Sequence, residues 1–349
     1  MKNILEEFKD SFTEFEFYSL NYSIYFLKSI DSLVTKDLDL LDEQYAPYSY
    51  FQNKITESKE LLSKFILNED DLLVIDDPVF YMRYEWSWNY HMNFIESLPN
   101  IVTLTFLLKK VKNLKVVVQE NFKLFYMEIF ELFGLKNVEI LSLNSNIKFS
   151  KLYLGTFHTG YRNDSENLHA YQIFICQYMR YKLGEKLKNT EMNHRSKNLY
   201  IRRDNFLTGF NRYIKNDDQL TLMLTSKYNF DVAYFESQTI LEKFQATLDY
   251  EVVISPIGAN LVNFFFSENS KIKKFILLVG KNCINNDLSV NNFVSFNIKQ
   301  LIILGNIEAS KIHVLVCDFE ENGISTHDSV NRPYIVSLSD VEKYICDDL

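Results

Sequence analysis

The second half of the chain alternates short apolar runs with longer segments of helical periodicity. Short runs of apolar and aromatic residues, mostly β-branched at 251–254, predict strands at residues 199–201, 232–235, 251–254 and 275–279. Apolar residues at helical spacing predict helices at 217–226 and 240–248, and a helix that starts at Leu261. Strands and helices in this order are typical of an α/β fold with a parallel sheet.

The same alternation is present in the first half of the chain. Strands are predicted at 72–75, 114–118 and 138–141, with a helix at 122–133 that ends at Gly134, a residue type favoured at helix C-termini. Strand, helix and strand at this spacing indicate a βαβ unit. A further helix is predicted at 165–186, whereas residues 1–67 give no clear pattern.

The polar, unpatterned stretch at 189–198 separates these two halves. Because 349 residues exceed the about 250–300 at which one hydrophobic core stops growing, we predict two domains, 1–195 and 196–349. The second domain is predicted to add strands at 301–304 and 312–316 and a terminal helix at 339–347.

Two features of the second domain favour binding of a phosphate group. The strand at 251–254 leads into a small-residue turn, Ser-Pro-Ile-Gly-Ala-Asn at 255–260, and a helix start after such a turn presents backbone N–H groups. An ordinary strand-to-helix connection has the same pattern. Arg202 and Arg203 end the first strand of this domain, at the sheet edge where open α/β folds bind ligands. The fork of an arginine matches phosphate oxygens, so we predict a diphosphate site there.

Three polar residues between these two features, Asn216, Glu236 and Ser237, are candidates for ligand contacts or helix caps. Glu236 follows the strand at 232–235, where a carboxylate can accept both hydroxyls of a ribose. Asn216 with Gln219 either forms a capping box for the helix at 217–226 or contacts a ligand. Ser237 is a candidate cap for the helix at 240–248.

An upstream segment carries a candidate general base. A polar stripe runs along a helix predicted at 89–102, and its members are Asn89, Asn93, Glu96 and Asn100. The stripe is either a solvated helix face or the wall of a cleft, and the aromatic residues at 86–90 favour the cleft. Glu96 is the carboxylate in its middle. Pro99 is expected to kink or restart the helix.

The order of these segments resembles glycosyltransferase family 61. The resemblance lies in Asn-Tyr at 89–90, Glu-Ser-Leu-Pro at 96–99, Tyr-Ile-Arg-Arg-Asp-Asn at 200–205, Arg-x-Ile-x-Asn-Asp-Asp at 212–218, Phe-Glu-Ser at 235–237 and Val-Val-Ile-Ser-Pro-Ile-Gly-Ala-Asn at 252–260. It extends over residues 75–270. Two histidine positions of the family are occupied here by Met92 and Ile257, with His91 one residue before Met92.

The resemblance implies a GT-B-like architecture, in which two Rossmann-type α/β domains face each other across a cleft. It implies inverting transfer of a hexose or pentose from a nucleotide-diphosphate sugar on the C-terminal domain to a glycan or glycolipid acceptor on the N-terminal domain. The predicted catalytic residues are Glu96, as the base, and His91, which with Asn93 is a candidate to orient it. The implied donor-binding residues are Arg202, Arg203, Arg212, Glu236, Gly258, Ala259, Asn260 and Asn263. The implied acceptor-side residues are Trp88, Asn89 and Asn93.

The composition restricts the classes of partner and cofactor that we expect for the chain. A net charge of −9 without a long basic run argues against nucleic acid as a partner, and the four cysteines have no metal-ligand or disulfide spacing. Asp76 and Asp77 end a strand, but Pro78 favours a turn there, so we expect neither a metal nor another cofactor. The acidic start of the chain and the lack of a run of about 20 apolar residues predict a cytoplasmic protein, peripheral to the inner face of the membrane where its acceptor is lipid-linked.

The richness in Asn, Lys and Ile is typical of an AT-rich bacterial genome, where surface polysaccharide or lipid-linked glycan assembly is the expected setting. Two other functions stay open. Because the two family histidines are replaced, one open alternative is a non-catalytic homologue that binds a sugar nucleotide. A dinucleotide oxidoreductase is disfavoured because no Gly-x-Gly-x-x-Gly follows a strand.

Overall fold

A computed structural model describes residues 17–20, 24–27, 32–34, 60, 71–82, 90–155, 170–188, 196–203, 213–236, 238–283, 292–318 and 333–346. The chain divides into two compact units, Met1–Tyr171 and Gln172–Leu349. The division falls within a helix, Ala170–Leu187, and the predicted boundary at 195 lies outside the described residues. The acceptor and donor roles of the two predicted domains stay predictions.

The first unit contains a five-stranded sheet and a four-stranded sheet. Its strands are β1 (Phe17–Leu20), β2 (Ile24–Leu27), β3 (Ser32–Val34), β4 (Leu73–Ile75), β5 (Val79–Tyr81), β6 (Lys115–Val117), β7 (Ile140–Leu141), β8 (Ile147–Phe149) and β9 (Leu152–Gly155). The larger sheet has the order β1-β9-β5-β6-β7, in which only β1 is antiparallel to its neighbour. The smaller sheet has the order β3-β2-β8-β4, and β4 is parallel to β8.

Two helices of this unit are α1 (Ile101–Lys110) and α2 (Lys123–Leu132). The succession β6, α2, β7 forms a parallel pair joined by a helix, with Val117 opposite Leu141, which confirms the predicted βαβ unit. Gly134 follows α2 with φ +70°, a left-handed conformation that glycine adopts without steric cost.

The helix predicted at 89–102 is broken into several turns. An α-helical turn at Tyr90–Met92 leads into a π-helical segment, Asn93–Ser97, and then a 3-10 turn, Leu98–Asn100, that precedes α1. Pro99 lies in the first turn of that 3-10 segment, as the expected restart requires. Asn93 and Asn100 are fully buried, so the interpretation of their stripe as a solvated helix face is wrong for these two residues.

The second unit is built on one parallel sheet of five strands. These are β10 (Asn198–Ile201), β11 (Phe230–Ala233), β12 (Val252–Pro256), β13 (Lys274–Gly280) and β14 (Ile312–Cys317), in the order β11-β10-β12-β13-β14. The accompanying helices are α3 (Ala170–Leu187), α4 (Asp217–Tyr228), α5 (Ile240–Gln245), α6 (Asn292–Ile303) and α7 (Leu338–Cys346). Every residue of β13 is buried, as expected for a central strand covered on both faces. The described chain is therefore an α/β protein, as predicted.

Three local predictions in this unit are wrong. Residues 301–303 of the run predicted as a strand at 301–304 belong to α6. Leu301 is buried while Ile303 is 42% exposed, although residues two apart would lie on the same face of a strand. Asn216 makes no side-chain capping bond, so it does not form a capping box with Gln219. The cap of α5 is Thr239, which forms a reciprocal capping box with Glu242, whereas Ser237 lies outside the described residues.

The fourth correction concerns the helix predicted to start at Leu261. Residues Ala259–Phe264 form a 3-10 helix of six residues instead, with Gly258 before it. Its apolar side chains are buried throughout, including Leu261, Val262 and Phe264. An amphipathic helix keeps one side exposed, whereas residues 261–266 are all buried. A long amphipathic helix is therefore not formed at this position.

Gly155 in β9 provides a test of the packing around Asn100. A Cβ at residue 155 would lie 1.9 Å from Asn100 Oδ1 and 3.2 Å from Asn100 Cβ, so a buried side chain would have to move. We expect Gly155→Ala to lower the free energy of unfolding by about 1–3 kcal/mol, the usual cost of overpacking. Chemical denaturation measures this change.

The matched control is Gly184→Ala in α3. A Cβ there has no heavy atom within 4 Å, and alanine in a helix interior is about 0.5–1 kcal/mol more favourable than glycine. Gly184→Ala is expected to stabilise the protein slightly. Equal effects of the two substitutions would contradict the described packing of Asn100 on β9.

Candidate active site

The strand order of the second unit identifies one edge as the place for a ligand. The chain starts at β10, places β11 on one side of it, and then continues on the other side with β12, β13 and β14. In a parallel sheet wound in two directions, ligands bind outside the carboxyl ends of the strands where the winding reverses. Here that point lies between β10 and β12.

Several residues predicted to bind the donor come together at this edge. Arg203 follows β10, Glu236 follows β11, and Gly258 and Asn260 follow β12. Asn260 Nδ2 lies 3.5 Å from Glu236 Oε1, at the outer limit of a hydrogen bond. The structure therefore groups residues that are separated by more than fifty positions in the chain.

Gly258 allows Arg203 to approach the turn after β12. A Cβ at residue 258 would lie 3.0 Å from Arg203 Nη1 and 3.7 Å from its Cζ. Gly258 also has φ +154° and ψ −164°, a conformation that is essentially restricted to glycine. Both its lack of a side chain and its backbone conformation are therefore required at this position.

The charge of Arg203 has no acidic partner at hydrogen-bond distance among the described residues. Burial lowers the pKa of its guanidinium, and the nearby Tyr334 and Glu236 oppose that effect by raising it. The side chain lines a crevice whose other walls are Tyr200, Tyr213, Ile214, Asp217 and Pro256. A partly buried cation without an ion pair is costly to the protein and favours an anionic ligand.

Glu236 offers acceptor capacity beside that cation. Its Oε2 atom is buried and has no hydrogen-bond partner among the described residues, whereas Oε1 faces Asn260. A carboxylate with one oxygen free to accept hydrogen bonds is suited to hydroxyl groups. This is the chemistry expected of a residue that binds a ribose.

Arg202 is engaged within the protein. Its Nε donates to Asp217 Oδ2 and its Nη2 donates to Asp218 Oδ1, while Tyr200 donates its hydroxyl to Asp217. Burial lowers the pKa of Arg202, but the two carboxylates outweigh this effect and the net shift is upward. Of the two adjacent arginines, Arg203 is therefore the one whose fork is available.

The remaining predicted donor residues have different positions. Ala259 and Asn260 begin the 3-10 helix, and Asn263 is fully buried within it, where its Nδ2 donates to Asn260 O at 2.9 Å. Because this helix has only six residues, the expected anion site at an α-helix N-terminus is not supported. Arg212 lies outside the described residues.

The candidate catalytic segment lies in the first unit. Glu96 belongs to the π-helical segment Asn93–Ser97, a type of distortion that is frequent at functional sites. His91 is buried, and Asn93 accepts a hydrogen bond from the hydroxyl of Tyr126. The side chains of Glu96 and Met92, and residues Trp88 and Asn89, are outside what the structure describes.

The adjacent acids of the first unit have protein partners. Ser150 donates to Asp76 Oδ1 at 2.8 Å, and Lys115 Nζ lies 3.2 Å from Asp77 Oδ2 and 3.0 Å from Glu139 Oε1. In the described ranges, no three His, Cys, Asp or Glu side chains are grouped as metal ligands.

None of the helices described is long and apolar enough to cross a membrane.

One neighbour of Arg203 was missed by the sequence analysis. Tyr334 belongs to a short apolar run, Tyr-Ile-Val at 334–336, that follows Pro333 and is separated from Arg203 by more than a hundred residues. The run itself is a recognisable extended segment. Its place beside Arg203 cannot be read from a local pattern.

Comparison with known proteins identifies a family for this chain. The family Glycosyltransferase 61 matches residues 40–272, which is more than half of the 349 residues and contains Arg203, Glu236 and Gly258. No curated protein matches the chain. The family match confirms the resemblance seen in the sequence, and the chain belongs to glycosyltransferase family 61.

Proposed function

We propose that the protein is an inverting glycosyltransferase that transfers a hexose or pentose from a nucleotide-diphosphate sugar to a glycan or glycolipid acceptor. The observation that carries the proposal is the guanidinium of Arg203, which has no ion pair with any described residue and lies at the carboxyl edge of a doubly wound sheet. Membership of the family supports the reaction class. The expected setting is bacterial surface polysaccharide or lipid-linked glycan assembly in the cytoplasm, at the inner face of the membrane.

In this proposal the second unit binds the donor. The diphosphate accepts charge-assisted hydrogen bonds from Arg203, and the absence of a side chain at Gly258 leaves room for the guanidinium beside the turn. Glu236 accepts hydrogen bonds from ribose hydroxyls, with Asn260 next to it. Arg202 keeps Asp217 and Asp218 paired, so that their charges do not oppose the diphosphate.

Chemically, inversion proceeds by a single displacement. The acceptor hydroxyl oxygen forms a bond to the anomeric carbon while the bond from that carbon to the diphosphate breaks, and the hydroxyl proton passes to a base. Glu96 is the proposed base, with His91 as the second catalytic residue of the segment. Arg203 stabilises the charge that develops on the leaving diphosphate, a role that a divalent cation performs in other enzymes.

The proposal includes the GT-B-like arrangement implied by the family, with the acceptor bound on the N-terminal domain near Trp88, Asn89 and Asn93. A non-catalytic sugar-nucleotide-binding protein is the second candidate. It is favoured by one observation, the replacement of the family histidines by Met92 and by Ile257, which is 3% exposed. The joint replacement of two polar partners by apolar residues can be nearly neutral for stability, so the two candidates differ in turnover rather than in folding.

The first functional prediction is that Arg203→Ala weakens the binding of nucleoside diphosphates by about ten- to a hundredfold. The reason is the loss of charge-assisted hydrogen bonds to phosphate oxygens. Calorimetric titration of the protein with a panel of nucleoside diphosphates gives the affinity. Arg203→Lys, which keeps the charge but removes the fork, is expected to lie between the parent protein and the alanine variant.

The control is Lys271→Ala, which removes one positive charge at the opposite edge of the same sheet. Lys271 Nζ pairs with Asp249 at 2.5 Å, before β12 and β13 begin. This variant should bind nucleoside diphosphates as the parent protein does. If Arg203→Ala also retains the parental affinity, Arg203 is not part of the donor site.

The second functional prediction concerns the base. Glu96→Gln preserves the shape of the side chain and removes its basicity, and loss of a general base lowers the rate by about 10²–10⁴-fold. Turnover of nucleotide sugars should therefore collapse while calorimetry shows unchanged donor affinity. The assay is performed in excess chelator, because the proposal gives the role of a metal to Arg203.

Two results would contradict this part of the proposal. If Glu96→Gln retains turnover within a few-fold of the parent, Glu96 is not the base. If the parent turns over a donor only after Mn²⁺ or Mg²⁺ is restored, the reaction is metal-dependent and Asp76 and Asp77 become candidate ligands. A parent protein that binds nucleotide sugars without any turnover would support the non-catalytic function.

A further inference from the structure

A short extended segment near the C-terminus is hydrogen-bonded to residues that line the crevice containing Arg203. This segment, residues 333–336, is called the C-terminal strap. Tyr334 forms a parallel bridge with Ile214: the N–H of Lys215 donates to Tyr334 O at 2.9 Å, and the N–H of Tyr334 donates to Tyr213 O at 3.0 Å. Tyr213 and Ile214 themselves line the crevice with Arg203.

Asn216 fixes the strap through both halves of its side-chain amide. Its Nδ2 donates to Val336 O at 2.7 Å, and its Oδ1 accepts from the N–H of Val336 at 3.0 Å. These two bonds explain why Asn216 does not cap α4. Between Tyr334 and Val336, the N–H of Ile335 donates to the carbonyl oxygen of Asp318, the residue after β14, at 2.8 Å.

Tyr334 connects the strap to the glycine turn. Its side chain is 4% exposed, and its hydroxyl donates to Leu278 O at 3.4 Å. The same carbonyl accepts the N–H of Ile257 at 3.0 Å, one residue before Gly258. Tyr334 and the turn that carries Gly258 are therefore held by one shared acceptor.

Tyr334 also acts on Arg203 electrostatically, because it raises the pKa of the guanidinium against the larger effect of burial. The hydrogen bonds of the strap join two parts of the candidate site, namely the 213–216 segment directly and the glycine turn through Leu278.

We propose that the C-terminal strap supports the diphosphate site and that Tyr334 is a positioning residue that holds the 213–216 segment and the Gly258 turn in their relative places. This inference rests on the proposed function of that site. The family match ends at residue 272, so the strap lies outside the matched stretch. Donor binding then depends on a segment that the family match does not include.

The physical reason is preorganisation. A long arginine side chain loses rotamer freedom when it binds a ligand, and a fixed Gly258 turn against its guanidinium lowers that cost because fewer rotamers are open beforehand. Removing the bond by which Tyr334 holds this turn should reduce affinity for the diphosphate even though Tyr334 need not touch it.

The test uses inorganic pyrophosphate as the probe and Tyr334→Phe as the variant. Calorimetric affinity is expected to fall by about three- to tenfold, the effect of one neutral hydrogen bond. The matched control is Tyr250→Phe, which removes a hydroxyl that donates to Asp231 at 3.3 Å, from a ring 5% exposed just before β12. Tyr250→Phe should bind pyrophosphate as the parent does, whatever its effect on the melting temperature.

A second variant, Asn216→Ala, releases the strap without altering Tyr334, and it should weaken pyrophosphate binding as well. If both strap variants bind as the parent does while Arg203→Ala loses affinity, the strap inference is overturned and the proposed function stands. Lower melting temperatures without a change in affinity would show a purely structural strap and also overturn the inference. If the parent does not bind pyrophosphate, both proposals fail.

Discussion

The guanidinium of Arg203 beside the α-carbon of Gly258 is the contact on which the proposed site depends. It brings a cation and a strand-end turn together at the point where the winding of the sheet reverses. Gly258 has a conformation restricted to glycine, and Arg203 has no ion pair among the described residues. A cation held in this way has more to gain from a phosphate than one that is already paired.

Arg202, the neighbouring arginine, pairs with the acidic residues at the same edge of the sheet. Asp217 and Asp218 start α4, where negative charge is favourable to the helix but unfavourable to a bound diphosphate. Arg202 and the hydroxyl of Tyr200 bind these carboxylates. The two consecutive arginines thus differ in their partners: Arg202 pairs with acids of the protein, whereas Arg203 has no ion pair among the described residues and is the one proposed to bind the ligand.

The sequence predicts the parts of the site that follow from local pattern and from one general rule. The strands before Arg203, Glu236 and Gly258 are recognisable from their β-branched runs, and parallel strands end at one common edge, so the grouping of these residues could be expected. The separate roles of Arg202 and Arg203 could not, because adjacent residues have the same pattern and differ only in their tertiary partners.

The wrong predictions have a similar origin. The run at 301–304 is apolar throughout, and its helical structure depends on what covers it. The bonds of Asn216 to Val336 join residues 120 positions apart, whereas a capping box is a local pattern that the sequence also permits. Tyr334 was missed for the same reason. Short-range sequence patterns predict strands and turns, and they contain no information on which distant segment packs beside a site.

The central claim, that Arg203 and the Gly258 turn bind the diphosphate of a sugar nucleotide, is tested most directly by a crystal structure of the complex. The ligand would be the nucleoside diphosphate that raises the melting temperature most, since specific binding stabilises the folded state by mass action. We predict phosphate oxygens within about 3 Å of the Arg203 guanidinium nitrogens and ribose hydroxyls on Glu236. A nucleotide bound elsewhere on the chain, with Arg203 and Glu236 without contact to it, would contradict the account.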